Sequence, residues 1–191
     1  MNLNKVYMNL VINVWNKEAL NMNILDNILG ICPPEIPDPP IMASVLPAIA
    51  TNDIRAGKLP KLNISNISLS NGEICHYIDE ACLVTKKIER HYQRRNNGMS
   101  FKIAKGMYYH TGDSNSHPVE YEIPVYTKGY LCITNKRIVF TSREKGFDKK
   151  ITAISSVTPY NDAIGLQFGE KIFNLLLPSP DIANMVLNLL M

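Results

Sequence analysis

The chain has 191 residues, 46% of them hydrophobic and 19% charged, and carries a net charge of +3. That balance excludes wholesale disorder, and no run approaches the roughly 18 consecutive apolar residues that a membrane-spanning helix needs. The length fits one domain of about 100–150 residues plus an extension, and so mild a positive charge does not announce a nucleic-acid binder.

At the N-terminus, Lys5 is followed by an apolar run broken by Asn9 and Asn13. A secretory signal needs an unbroken apolar core with a small-residue cleavage site behind it, so the expected location is cytoplasmic. From Lys17 to Gly30 the residues Leu20, Ile24, Leu25, Ile28 and Leu29 fall at helical spacing. The stretch from Cys32 to Pro40 holds five prolines and reads as a stiff, extended linker, since proline lacks the amide hydrogen. A second short helix is predicted from about Ser44 to Ala56. Residues 1–60 are therefore expected to form a helical extension with a Pro-rich linker at about 32–40, and 61–191 the main domain.

Beyond residue 72 the rhythm becomes two-fold. Strands are predicted over Ile74–Lys87, Ile88–Arg95, Phe101–His110 and Tyr121–Tyr126, with Asn96-Asn97-Gly98 as a hairpin turn and 111–118 as a polar loop. Tyr130–Thr134 and Ile138–Ser142 flank a further turn, and Ile164/Leu166/Phe168 alternates before Phe173/Leu175/Leu177. Seven or more short strands at this spacing indicate an antiparallel barrel or sandwich. The period then switches: Ser179 reads as a helix cap, Pro180 suits the first turn, and Ile182, Met185, Val186, Leu189 and Leu190 form one apolar stripe.

The segment Lys128-Gly129-Tyr130-Leu131-Cys132-Ile133-Thr134-Asn135-Lys136-Arg137-Ile138-Val139-Phe140 resembles the signature of GRAM and bacterial pleckstrin-homology-like domains. The continuation through Phe147, Ile151, Ile154 and Val157 resembles the same superfamily. The likeness spans about 72–191 and is best over 125–191. It implies a mainly β fold with α: a seven-stranded antiparallel barrel or orthogonal sandwich capped by the C-terminal helix. The fold signature is Gly129, Leu131, Ile133, Thr134, Asn135, Arg137, Ile138 and Phe140. Leu131, Ile133, Ile138 and Phe140 are expected to point inward, Thr134 and Asn135 to fix the turn, and Arg137 to project outward, as a surface ion pair or a ligand contact.

Charge is least even between Thr85 and His110, where seven basic residues face one acid, a local +6. Lys86, Arg90, Arg94, Arg95, Lys102 and Lys105 are the anion-binding candidates, and the Asn96-Asn97-Gly98 turn is expected to gather Arg94, Arg95 and Lys102 at one hairpin tip. A basic hairpin tip is how many pleckstrin-homology domains hold phosphoinositide head groups. Three or four basic residues near an anionic bilayer supply only about 3–4 kcal/mol, a weak and salt-sensitive attachment.

Catalytic constellations are missing. The histidines lack metal-ligand spacing, no nucleophile elbow or phosphate-binding glycine loop occurs, and consecutive residues such as Asp79 and Glu80 diverge on a strand. Cys32, Cys75, Cys82 and Cys132 show no C-x-x-C pair and are expected to be reduced thiols. The sequence predicts no metal, no cofactor and no enzyme. The expected function is a non-catalytic binding or scaffolding module with a protein partner. Peripheral attachment to anionic lipid through 85–110 and homo-oligomeric assembly are the alternatives, and nucleic acid is not an expected partner.

Overall fold

The computed structural model describes residues 34–191 except 65, 66, 97, 98, 105, 106, 112 and 113, with side chains described outside 91–117 and 119. The helix expected over 17–30 therefore lies outside the described residues, as does Cys32. The first described helix, α1, spans Ala48–Arg55, shorter than the expected 44–56 because Pro47 occupies its N-cap. Gly57 follows at φ 75°, a backbone angle that a side chain would strain.

Among the described residues nine strands follow: β1 (Cys75–Asn96), β2 (Met99–Ala104), β3 (Met107–Thr111), β4 (Ser114–Thr134), β5 (Arg137–Ser142), β6 (Phe147–Lys150), β7 (Ser156–Pro159), β8 (Ala163–Phe168) and β9 (Lys171–Leu176). The chain closes with helix α2, Pro180–Leu190. Seven strands form one antiparallel sheet in the order β6-β5-β4-β1-β9-β8-β7. The mainly β class, the sheet of seven strands and the C-terminal helix are as expected.

The expected closure into a barrel is not. The sheet ends at β6 on one side and β7 on the other. Both are only four residues long, and between them a 3-10 turn, Ile151–Ala153, takes the chain out of the ladder, with the Ile151 amide on the Lys136 carbonyl.

Other boundaries differ too. The two strands expected over 74–95 are one strand of 22 residues, because nothing in Thr85-Lys86-Lys87-Ile88 breaks an extended chain. β4 absorbs the Ser114–Pro118 part of the expected loop and joins the strands expected over Tyr121–Tyr126 and Tyr130–Thr134 into one. The single strand expected over 101–110 is a β2–β3 hairpin, with Phe101 opposite Tyr109 and Ala104 opposite Met107.

The chain divides into two compact units. The first contains Pro37–Thr85 and Pro124–Met191, and it holds the core. Leu131 faces Phe140 and Ile133 faces Ile138 across the β4–β5 ladder, and all four side chains are buried. They pack with Ala50 and Ile54 of α1 and with Ile182, Val186 and Leu187 of α2. Each such Leu, Ile or Phe contributes roughly 1.5–3 kcal/mol by leaving water. Ser179 stands at the N-cap of α2 without a side-chain cap bond, so that helix is held by the buried Ile182, Ala183, Val186 and Leu187, while Met185 and Leu189 of the expected stripe are exposed. On the opposite sheet face, Cys75, Cys132 and Val139 form a smaller cluster beneath Leu62, Ile64, Ile67 and Leu69. The second unit includes Lys86–Ile123, and of its described side chains only Ile123 is buried. Among the described residues no helix is long and apolar enough to cross a membrane.

Candidate functional site

The β4–β5 turn concentrates the polar chemistry of the first unit. Thr134 is fully buried, and its hydroxyl oxygen accepts the Lys136 amide at 3.1 Å and the Arg137 amide at 2.9 Å. The same hydroxyl lies 2.9 Å from Glu73 Oε1 and 3.0 Å from the Arg137 carbonyl, two acceptors for one proton. Asn135 acts at longer range. Its Oδ1 accepts the Ile74 amide at 2.9 Å, its Nδ2 donates to the Gly72 carbonyl at 3.0 Å, and its amide donates to the Ile74 carbonyl at 3.0 Å. Lys136 Nζ donates to the Asn71 carbonyl at 2.6 Å.

Arg137 completes the arrangement. It donates from Nε to Glu73 Oε1 at 2.8 Å, from Nη2 to Glu73 Oε2 at 3.2 Å, and from Nη2 to the Ser68 carbonyl at 2.7 Å; Nη1 pairs with Asp148. The side chain expected to project outward is only 24% exposed, and that of Glu73 is 1% exposed. Burial pushes the Glu73 carboxyl up, but hydrogen bonds from Arg137, the Ser70 amide and Thr134 outweigh it and hold the pKa at about 2. Glu73 and Asp148 in turn raise Arg137 above its ordinary value. The polar residues of the signature thus grip Ser68–Ile74, and each of the three Arg137 nitrogens donates to protein. Gly129 lies at the far end of the same β4–β5 ladder, opposite Ser142, and matters sterically: a β-carbon there would lie 2.2 Å from the Thr141 carbonyl oxygen and 2.9 Å from the Phe140 ring.

A second carboxylate holds the segment that leads into α1. Asp79 is fully buried, although the sequence marked it only as half of an acidic pair. Its Oδ1 accepts the Val45 amide at 2.7 Å and the Glu80 amide at 3.0 Å, and its Oδ2 accepts the Ser44 hydroxyl at 2.8 Å. The Tyr77 hydroxyl donates to Oδ2 at 3.4 Å, and burial followed by the nearby Asp79 charge pushes that phenol well above its usual range. Glu80 accepts the Ala43 amide at 3.1 Å. The two carboxylates do diverge on the strand, yet both capture the same passing segment.

The basic candidates are distributed differently from expectation. Lys86 Nζ lies 2.6 Å from Glu122 and Arg90 Nε 2.7 Å from Glu120, so acids of β4 answer basic residues of β1. Lys87 pairs with Glu89 at 2.9 Å. Over 86–123 seven basic residues stand against four acids, Glu89, Asp113, Glu120 and Glu122, a net +3 in place of the +6 counted over 85–110. Arg94 and Arg95 lie on β1, and Lys102 on β2 opposite Tyr108. Their side chains, and Lys105 altogether, lie outside the described residues. β2 pairs with β3 in its own two-stranded sheet and not with β1, so the expected β1–β2 ladder is absent among the described residues.

Sequence reasoning missed Glu73, Asp79 and the apposition of Cys75 with Cys132, because each depends on partners far along the chain. Among the described residues no group of three or more His, Cys, Asp or Glu side chains is placed to hold a metal ion. Compared with known proteins, the chain matches no family model, no curated protein and no solved structure.

Proposed function

We propose that the chain is a non-catalytic, protein-binding module of pleckstrin-homology-like fold. Seven antiparallel strands followed by a helix support the fold part of this reading, because that is the arrangement the signature around Thr134–Arg137 implies.

The observation that carries the binding part is a set of apolar side chains presented by an anchored segment. Ile41 is 95% and Ile49 78% exposed, with Val45 between them, although Asp79 and Glu80 fasten Ala43–Val45 and the core takes Leu46, Ala50 and Ile54. Large apolar groups held in water on an ordered scaffold mark an interaction surface. Residues 37–57 contain Asp38, Asp53 and Arg55, a net negative charge that suits a protein surface better than an anionic bilayer. A cytoplasmic location belongs to this reading, in keeping with buried free thiols at Cys75, Cys82 and Cys132.

One observation favours a second reading, contact with anionic lipid. Ile88 is 58% exposed and lies between Lys86 and Arg90 in strand alternation. Protein capture from the native cell, compared between the wild type and Ile41→Asp with Ile49→Asp, tests the first reading. A partner retained equally by both proteins overturns it. Pelleting with anionic vesicles at low salt that is lost in Lys86→Glu with Arg90→Glu would transfer the function to the lipid reading. Light scattering that shows a dimer, dissociated by the isoleucine substitutions, would identify the partner as a second copy.

A further inference from the structure

The binding reading leaves two thiols without a role. Cys75 on β1 and Cys132 on β4 are both fully buried, they lie on neighbouring strands, and their sulfurs are 3.3 Å apart. A disulfide needs about 2.05 Å, so the two sulfurs stand little more than 1 Å outside bonding distance. The contact between the two sulfurs couples their ionisation: it favours the thiolate of one at the expense of the other, while burial raises both. Burial makes an isolated thiol inert, but here each sulfur is the nearest reaction partner of the other.

Cover comes from Leu62, Ile64, Ile67 and Leu69. It is tied down by the Leu62 amide on the Cys75 carbonyl at 2.9 Å, by His76 Nδ1 on the Pro60 carbonyl at 2.6 Å and by Arg137 on the Ser68 carbonyl at 2.7 Å.

We propose that Cys75 and Cys132 are a reversible oxidation site that closes to a disulfide across the β1–β4 seam. With hydrogen peroxide as oxidant, one of the two thiolates, Cys75 for instance, attacks one peroxide oxygen, the O–O bond breaks and hydroxide leaves, giving a sulfenic acid. The Cys132 sulfur then attacks the Cys75 sulfur, the S–S bond forms, and the sulfenic oxygen departs as the second hydroxide. The two thiol protons end in two waters; the pair loses two electrons and peroxide gains them. A low-molecular-weight disulfide reaches the same product by exchange, releasing two thiols. The bond encloses the whole 86–123 segment in a covalent loop, which removes freedom from the unfolded chain.

The test uses the full chain with Cys32→Ser, which removes the thiol outside the described residues. Treatment with hydrogen peroxide under native conditions should lower the intact mass by about 2 Da. Peptide mapping should locate the link at Cys75–Cys132, and reductant should restore the mass. The melting temperature should rise on oxidation by about 5 °C, a shift absent from Cys75→Ser and from Cys132→Ser. The proposal is overturned if both thiols survive a peroxide dose that oxidises the urea-unfolded chain. It is equally overturned if they proceed to sulfinic acids, or if the only link formed involves Cys82.

Discussion

The Arg137–Glu73 pair of the first unit and the Lys86–Glu122 pair of the second use similar groups at opposite ends of the energetic range. Glu73 is nearly sealed from solvent, both its oxygens accept from Arg137, and Thr134 and the Ser70 amide supply further contacts. Lys86 and Glu122 meet at one contact with more than half of each side chain in water. Desolvation makes the first pair expensive to break, whereas solvent screening leaves the second with little to lose. Net charge along a sequence therefore says little about what a charged residue does. One pair fixes a turn, and the other offsets a local excess of positive charge.

Substitutions on either side put this difference to the test. Arg137→Met, which strands a buried carboxylate, should reduce the stability of the chain by about 4 kcal/mol in urea unfolding at neutral pH. Glu73 has a depressed pKa, so its contribution is complete above about pH 4.5 and is lost as pH falls toward about 2. The gap between wild type and Arg137→Met should accordingly narrow in acid; a gap unchanged at pH 3 would place its origin in packing. Gly129→Ala should lower stability by about 3 kcal/mol, because the new methyl would meet backbone at Thr141 and the ring of Phe140.

Asp79→Ala should cost about 2 kcal/mol by orphaning the Val45 amide and the Ser44 hydroxyl, and hydrogen exchange at Val45 should quicken. Arg90→Ala should change stability by about 0.3 kcal/mol, which equilibrium unfolding would read as near zero. A loss at Arg90 as large as that at Asp79 would abolish the distinction between the two units.

Features governed by near neighbours were legible in the sequence. Strand alternation placed Leu131, Ile133, Ile138 and Phe140 in the core, and the 3.6-residue stripe placed Ile182 and Val186 there. Thr134 bonds within its own turn, as short-range hydroxyl chemistry predicts. Longer relations were not legible. Arg137 reaches back 64 residues to Glu73, and Asp79 35 residues to Ser44. No spacing rule links residues whose proximity is created by strand pairing. The strand lengths failed for a different reason: a charged, unbroken run such as Lys86-Lys87-Ile88-Glu89 looks the same inside a strand as at its end. Closure into a barrel depended on whether β6 and β7 would meet, which local patterning does not encode.

Thr85 donates from its hydroxyl to the Val125 carbonyl at 3.5 Å, where the chain leaves the first unit and where it returns. An excursion whose two ends already touch is topologically an insertion. A tight reverse turn joining the two ends could replace everything between them without altering any ladder from β5 to β9. The same junction would accept a foreign hairpin or a reporter domain. A change of length or surface within 86–123 should therefore leave the β5–β9 ladders and both helices in place.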